Sequence, residues 1–272
     1  MSERQASAGY FPNGVPYNRI GHGARLLVIL QGLLFEHKPA TGIAARFALS
    51  IYSFLQEAFT VYLVGPRPGL PQGYTLQDIA ADYAEVIREQ FAGPVDVLGT
   101  STGGSIAQHL AADHPELVRR LVLHATAHTL GETGRAVQRD VARLAGEGRW
   151  REASASLLEL VFPGSGLASV TRWISSRMMA LTPPRDPSDL TVVIRAEDAH
   201  RFQARLAEIA APTLVIDGAR DLFYSETLLR ETAEGIPDAR LILYPDKGHA
   251  AVGKVFQRDV LTFLLEGQGR WL

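Results

Sequence analysis

Apolar positions along the chain follow two alternating rhythms. Arg25–Leu30 (R-L-L-V-I-L), Phe59–Val64 (F-T-V-Y-L-V), Val95–Leu98, Val118–His124, Ala211–Asp217 and Ala239–Tyr244 are short, nearly unbroken apolar runs. That is the pattern of strands covered on both faces. Between and after them, Ile43–Ala58, Thr75–Phe91, Ser105–Ala112, Ser225–Glu234 and Val252–Leu265 read as amphipathic helices. Thr75 is a plausible N-cap, with Asp78 three residues on. Tyr17–Ile20 reads as a short edge strand ending at Gly21-His22-Gly23, and residues 1–16 as a loosely held lead-in. Strand and helix in alternation predict an α/β fold with a mostly parallel central sheet and helices on both faces.

The alternation breaks between residues 127 and 200. Helical pieces (Gly134–Leu144, Trp150–Val161, Val170–Leu181) are separated by turn clusters such as Phe162-Pro163-Gly164 and Pro183-Pro184. The one β-branched patch, Thr191–Ile194, is ambiguous between strand and helix. The expected organisation is a core of residues 1–126 and 201–272 with a helical cap, 127–200, inserted after the strand at Val118–His124.

The segment Val95–Gly104 (V-D-V-L-G-T-S-T-G-G) carries the most chemistry. Gly99-Thr100-Ser101-Thr102-Gly103 fits G-x-S-x-G between a buried strand and a helix, the setting of a nucleophile elbow. The turn is strained, and flanking glycines admit neighbouring backbone without Cβ clashes. A serine hydroxyl is a weak nucleophile at neutral pH and needs a base, which in turn needs a group to orient it. In parallel sheets reactive groups gather beyond the carboxyl ends of the strands. His249 follows the last strand and Asp221 the strand before it, with Asp217 and Asp246 as rival carboxylates nearby.

Composition narrows the field. The 272 residues are 46% hydrophobic and 21% charged, with a net charge of −2 and no basic run interleaved with aromatics, so nucleic acid is not an expected partner. No apolar run approaches the length of a membrane span, and Met1–Gly9 lacks a signal-peptide core. Zero cysteines exclude disulfides and thiolate chemistry and fit a cytoplasmic protein. Gly21-His22-Gly23 precedes a strand rather than a helix, so no dinucleotide site is expected. His124 and His128 lack the glutamate and third ligand of a zinc motif, so neither metal nor cofactor is expected.

Three segments in chain order, G-T-S-T-G-G at 99–104, G-A-R-D at 218–221 and D-K-G-H at 246–249, make the sequence resemble an α/β-hydrolase with a helical cap. The resemblance runs from about Tyr17 onward. It implies Ser101 as nucleophile, His249 as general base and then acid, and Asp221 as orienting carboxylate. It also implies an oxyanion hole from the backbone N–H groups of Thr102 and Leu33. The loop after Arg25–Leu30 begins Gln31-Gly32 where many relatives have His-Gly, and Gly65–Gly69 departs from an Asp-x-Arg-Gly-x-Gly-like turn.

The function so implied is a serine hydrolase, carboxylesterase-like, cleaving an ester or related acyl bond of a small, largely apolar substrate. Leu34 and Phe35, with Trp150, Phe162, Trp173 and Met178 from the cap, are the expected pocket lining, although each also suits plain packing. The fold equally hosts C–C bond hydrolases, lactonases and cofactor-free peroxidase-like enzymes on the same triad. A ligand-binding protein on a hydrolase scaffold is the reading from another class. A small-molecule substrate is the expected partner, and a homodimer is compatible with the sequence.

Overall fold

The structure is a computed structural model that describes residues 6–164, 166, 169–170, 172–174, 176–177 and 183–266. Its centre is an eight-stranded sheet: β1 (Ser7–Tyr10), β2 (Pro16–Ile20), β3 (Arg25–Leu30), β4 (Phe59–Val64), β5 (Val95–Thr100), β6 (Val118–His124), β7 (Thr213–Gly218) and β8 (Ala239–Tyr244). The spatial order is β1-β2-β4-β3-β5-β6-β7-β8. β1 and β2 run antiparallel; all pairings from β4 to β8 are parallel.

Both faces are covered, which is why the inner strands read as continuous apolar runs. On one face α2 (Leu76–Gln90), α3 (Thr102–Asp113) and α7 (Glu226–Gly235) pack residues such as Ile79, Tyr83, Ile106, Leu110 and Leu229 against Val28, Val97, Leu123 and Val215. On the other, α1 (Gly42–Ile51) and α8 (Lys254–Leu265) bring Leu49, Phe256, Val260 and Phe263 against Leu27, Ile29, Leu98 and Ile216. The Thr75 cap forms as a full box: Asp78 N–H donates to Thr75 Oγ1 at 3.1 Å, and Thr75 N–H to Asp78 Oδ2 at 2.9 Å.

Between β6 and β7 lie α4 (Glu132–Gly146), α5 (Trp150–Val161) and α6 (Ser188–Ala199). Their own core joins Val141 and Leu144 with Trp150, Ala153, Leu190 and Ile194. Helix α6 belongs to two cores at once, since Val192 and Val193 pack with the sheet. Polar contacts fasten its start: Asp189 accepts from the Leu70 and Gly69 N–H groups at 2.8 and 3.0 Å. Gly69 and Leu70 lie in the proline-rich loop after β4, whose Arg67 pairs with Asp82 at 3.0 Å.

Two expectations need correction, and one open reading is decided. The lead-in contains β1, so Tyr17–Ile20 is an inner strand rather than the edge. Thr191–Ile194 is helical, its β-branched side chains wedged between two apolar cores, so tertiary burial overrides strand propensity. The helix expected over Ile43–Ala58 ends at Ile51, where Tyr52 leaves helical geometry and a short 3-10 turn, Ser53–Leu55, follows.

Candidate active site

The end of β5 and the start of α3 meet at Ser101, whose φ of 53° and ψ of −127° are unusual for a residue with a side chain. Such a conformation costs roughly 1–3 kcal/mol and persists only where the surroundings hold it. They do here. Ser101 N–H donates to His124 O at 2.9 Å, extending the β5–β6 ladder past its end, and its own carbonyl accepts from Gly104 N–H at 2.7 Å. A Cβ on Gly103 would stand 2.1 Å from Leu30 O, one on Gly99 2.5 Å from Gly104 Cα, and one on Gly104 2.1 Å from Thr126 Cγ2. All three glycines are required by close approach.

The oxyanion loop of the sequence reading lies against this turn. A Cβ on Gly32 would be 3.2 Å from Ser101 Cβ and 3.8 Å from Ser101 Oγ. The loop is held by main chain: Gln31 N–H donates to Val64 O at 3.1 Å, and Gln31 O faces Gly103. The Gln31 side chain is therefore not what sets the loop's course. Among the described residues no protein acceptor takes the N–H of Leu33 or of Thr102.

His249 and Asp221 come from loops after neighbouring strands. His249, in the loop after β8, has Nδ1 2.7 Å from Asp221 Oδ2. Asp221 Oδ1 accepts from Phe223 N–H at 2.6 Å and Tyr224 N–H at 3.3 Å. Burial alone would push the Asp221 carboxyl up, but the hydrogen bond and charge of His249 hold it below the ordinary carboxylate value. Both side chains are buried, and the His249 ring packs against Phe223, tilted at 4.4 Å, and Tyr224, stacked at 6.0 Å. Ser101 Oγ and the His249 ring make no direct hydrogen bond, the contact of His249 being with Asp221.

Of the rival carboxylates, Asp246 pairs with Arg220 on the surface. Asp217 is fully buried beside Asp221; burial, then the neighbouring carboxylate, raise it well above the ordinary value. His124 is also buried near the site, with Nδ1 3.5 Å from Thr100 Oγ1, and burial plus repulsion from His249 push it down to about 3. It stays uncharged.

A description of the alpha/beta hydrolase fold matches residues 63–253. The chain belongs to that family. The hydrolase is 34% identical over 186 residues, 65% of its length, to a Mycobacterium tuberculosis protein provisionally named non-heme bromoperoxidase BpoC, covering 70% of that protein. It is 29% identical over 192 residues to the pimeloyl-[acyl-carrier protein] methyl ester esterase of Nitrosomonas europaea, covering 66% of this chain and 76% of that one. The crystal structure of a hydrolase from Pseudomonas aeruginosa superposes with a TM-score of 0.76 at 25% identity, over 95% of this chain and 98% of the other.

The expected pocket residues of the hydrolase divide. Phe35 meets Trp150 edge-on at 6.3 Å, joining the loop after β3 to α5, and Leu34 packs against Gly65. Trp150 also borders a cavity of about 520 Å³ with Arg149, Arg151 and Glu152, away from Ser101. Phe162, partly buried, ends α5, and its carbonyl accepts from Arg172. Trp173 is 58% exposed with Arg177 over its ring, and Met178 lies outside the described residues.

One functional neighbour escapes a sequence reading. Glu197, on α6, is wholly buried behind the elbow. Its signal is the spacing Leu190, Val193, Ile194, Glu197: an acid at a core position of a helical apolar stripe. Among the described residues no group of three His, Asp or Glu side chains could hold a metal, and no helix is long and apolar enough to cross a membrane.

Proposed function

We propose that this hydrolase is a carboxylesterase-like serine hydrolase acting on an ester or related acyl bond of a small, largely apolar substrate. The observation that carries the reading is the 2.7 Å bond between His249 Nδ1 and Asp221 Oδ2, on the strand ends beside a serine held at φ 53°. In this reading Ser101 Oγ attacks the carbonyl carbon while His249 Nε2 takes its proton. Asp221 keeps Nδ1 protonated, which leaves Nε2 as the base, and stabilises the imidazolium that forms. The N–H groups of Thr102 and Leu33 hold the oxyanion, each such donor being worth about 3–4 kcal/mol. The imidazolium then protonates the leaving alcohol, and water, activated by the same ring, releases the acid. Residues 127–200 act as a cap, with Phe35, Leu34, Trp150 and Phe162 as apolar surface near the acyl group.

The test is hydrolysis of a short and a long p-nitrophenyl ester by the wild type and by Ser101→Ala. Activity lost in the variant supports the reading, and the chain-length preference sizes the pocket. Activity unchanged in the variant overturns Ser101 as nucleophile. The similarity to a protein named non-heme bromoperoxidase favours one second reading, a cofactor-free peroxidase-like activity on the same triad. Peroxide-dependent bromination that survives in wild type but not in Ser101→Ala, with no ester turnover, would select it. A folded wild type that a fluorophosphonate fails to label would instead point to a ligand-binding protein.

A further inference from the structure

A carboxyl group stands behind the nucleophile turn, where the acyl-transfer mechanism has no use for one. Glu197 Oε1 accepts from Ser105 Oγ at 2.8 Å and from Tyr224 OH at 3.2 Å. Ser105 lies in the first turn of α3, three positions after Thr102 and so on the same face. Tyr224 gives its backbone N–H to Asp221. Glu197 thus bridges the helix that begins at Ser101 and the loop that carries the acid, from a helix belonging to the insertion.

Its second oxygen, Oε2, is buried with no donor in hydrogen-bonding geometry, and Thr102 Oγ1 is an equally buried orphan. Thr102 is near enough to act on the carboxyl. Protonation would turn Oε2 into a donor that Thr102 Oγ1 can accept. Burial pushes Glu197 up to about 7, against the hydrogen bonds from Ser105 and Tyr224, the attraction of Arg135 and the Thr102 hydroxyl. The groups facing it are therefore Thr102 and Ser105 from α3, Tyr224 from the acid loop and Arg135 from α4. Thr126, after β6, lies 3.5 Å from Ser105 Oγ. Arg135 is itself bonded to the Asp198 carboxylate.

We propose that Glu197 is a positioning residue for the acyl-transfer site and that its neutral form is the active one. The first turn of a helix carries partial positive charge, which in this fold supports the Thr102 N–H in holding the oxyanion. A carboxylate pressed against that turn opposes the field; a carboxylic acid does not. Proton loss also puts a bare, unpartnered carboxylate oxygen beside the orphaned hydroxyl of Thr102, the residue that supplies the donor. The inference rests on the serine-hydrolase reading.

The experiment follows the second-order rate of fluorophosphonate labelling against pH in wild type and Glu197→Gln, with Ser101→Ala as blank. Glutamine keeps both acceptor contacts and can donate to Thr102 Oγ1, but carries no charge at any pH. Wild-type labelling is expected to rise as the base is freed and to fall again above neutrality, by about tenfold two units beyond its maximum. Glu197→Gln is expected to stay within about twofold of its own maximum over that range. Tyr224→Phe removes a donor to the ionised form, so its falling limb should move to higher pH, which a merely structural role would not produce. Superposable profiles in wild type and Glu197→Gln overturn the inference and leave Ser101 in place, as does a uniform loss in Glu197→Gln with an unchanged profile. Absence of labelling in folded wild type removes the serine reading itself and this inference with it.

Discussion

Replacing Gly103 by alanine tests whether the elbow is built by close approach. The added Cβ would stand 2.1 Å from Leu30 O and 2.4 Å from Gln31 O, whereas an ordinary contact begins near 3.4 Å. Both neighbours are backbone, so no side chain can rotate away, and α3 must part from the end of β3 by about 1 Å. β3 cannot follow easily, because it is paired on both sides, with β4 and β5. Overpacking of this kind costs about 1–3 kcal/mol, and backbone against backbone belongs at the upper end. For a chain of this size that is a drop in Tm of roughly 6–10 °C. The same displacement separates Thr102 from the Gln31–Leu33 loop, so labelling by a fluorophosphonate should slow by about a hundredfold or more. Gly32→Ala is the companion: its Cβ meets Ser101 Cβ at 3.2 Å and the Thr100 carbonyl oxygen at 3.3 Å, contacts that a shift of a few tenths of an ångström relieves. It should change stability by less than about 1 kcal/mol while slowing labelling about tenfold. Thermal unfolding and labelling rate, measured on both variants, separate the two effects. A Gly103→Ala protein with wild-type Tm and labelling rate would refute the reasoning.

Asp221→Asn preserves the shape and the acceptor for the Phe223 and Tyr224 N–H groups but withdraws the charge that stabilises the His249 imidazolium; ester turnover should fall about 10³–10⁴-fold with a Tm near wild type. A loss below tenfold would remove Asp221 from the proposed triad. Glu197 also predicts how stability depends on pH. Its folded value of about 7 exceeds the ordinary 4.5, so between those values the folded protein binds more protons than the unfolded chain. The stability contribution is therefore full below about pH 4.5 and is lost as pH rises through 7, by about 3 kcal/mol. Denaturant unfolding at acid and alkaline pH should show that loss in wild type and not in Glu197→Gln; parallel curves would contradict it.

The sheet was legible because strands covered on both faces must be apolar throughout, as Arg25–Leu30 and Phe59–Val64 are. The elbow was legible because close approach demands glycine at 99, 103 and 104. β1 was not: Ser-Ala-Gly-Tyr at an edge is largely exposed and needs no apolar signature. Thr191–Ile194 stayed ambiguous between strand and helix because its β-branched residues serve two packing surfaces rather than backbone preference. Glu197 was hidden for a related reason. An acid within an apolar stripe has meaning only once Ser105, Tyr224 and Thr102 are seen around it, and these come from two other, distant parts of the chain.

The main-chain ladder does not stop where the strands do. Ser101 N–H reaches His124 O at the end of β6, and the next residue, Ala125, also at positive φ (52°), reaches Ile216 O in β7. Beyond β7, Ala219 N–H reaches Tyr244 O and Arg220 N–H reaches Lys247 O, two residues short of His249. The three loops bearing Ser101, Asp221 and His249 are thus stapled by backbone bonds that step from one strand end to the next. Two strained residues, 101 and 125, sit at adjacent steps. A rigid ladder is what allows such strain to persist, and the same ladder fixes the separation of Ser101 from Asp221 and His249. Bonds of this kind are indifferent to side-chain identity, which leaves the sequences of the intervening loops and of the insertion free to change without moving these strand ends.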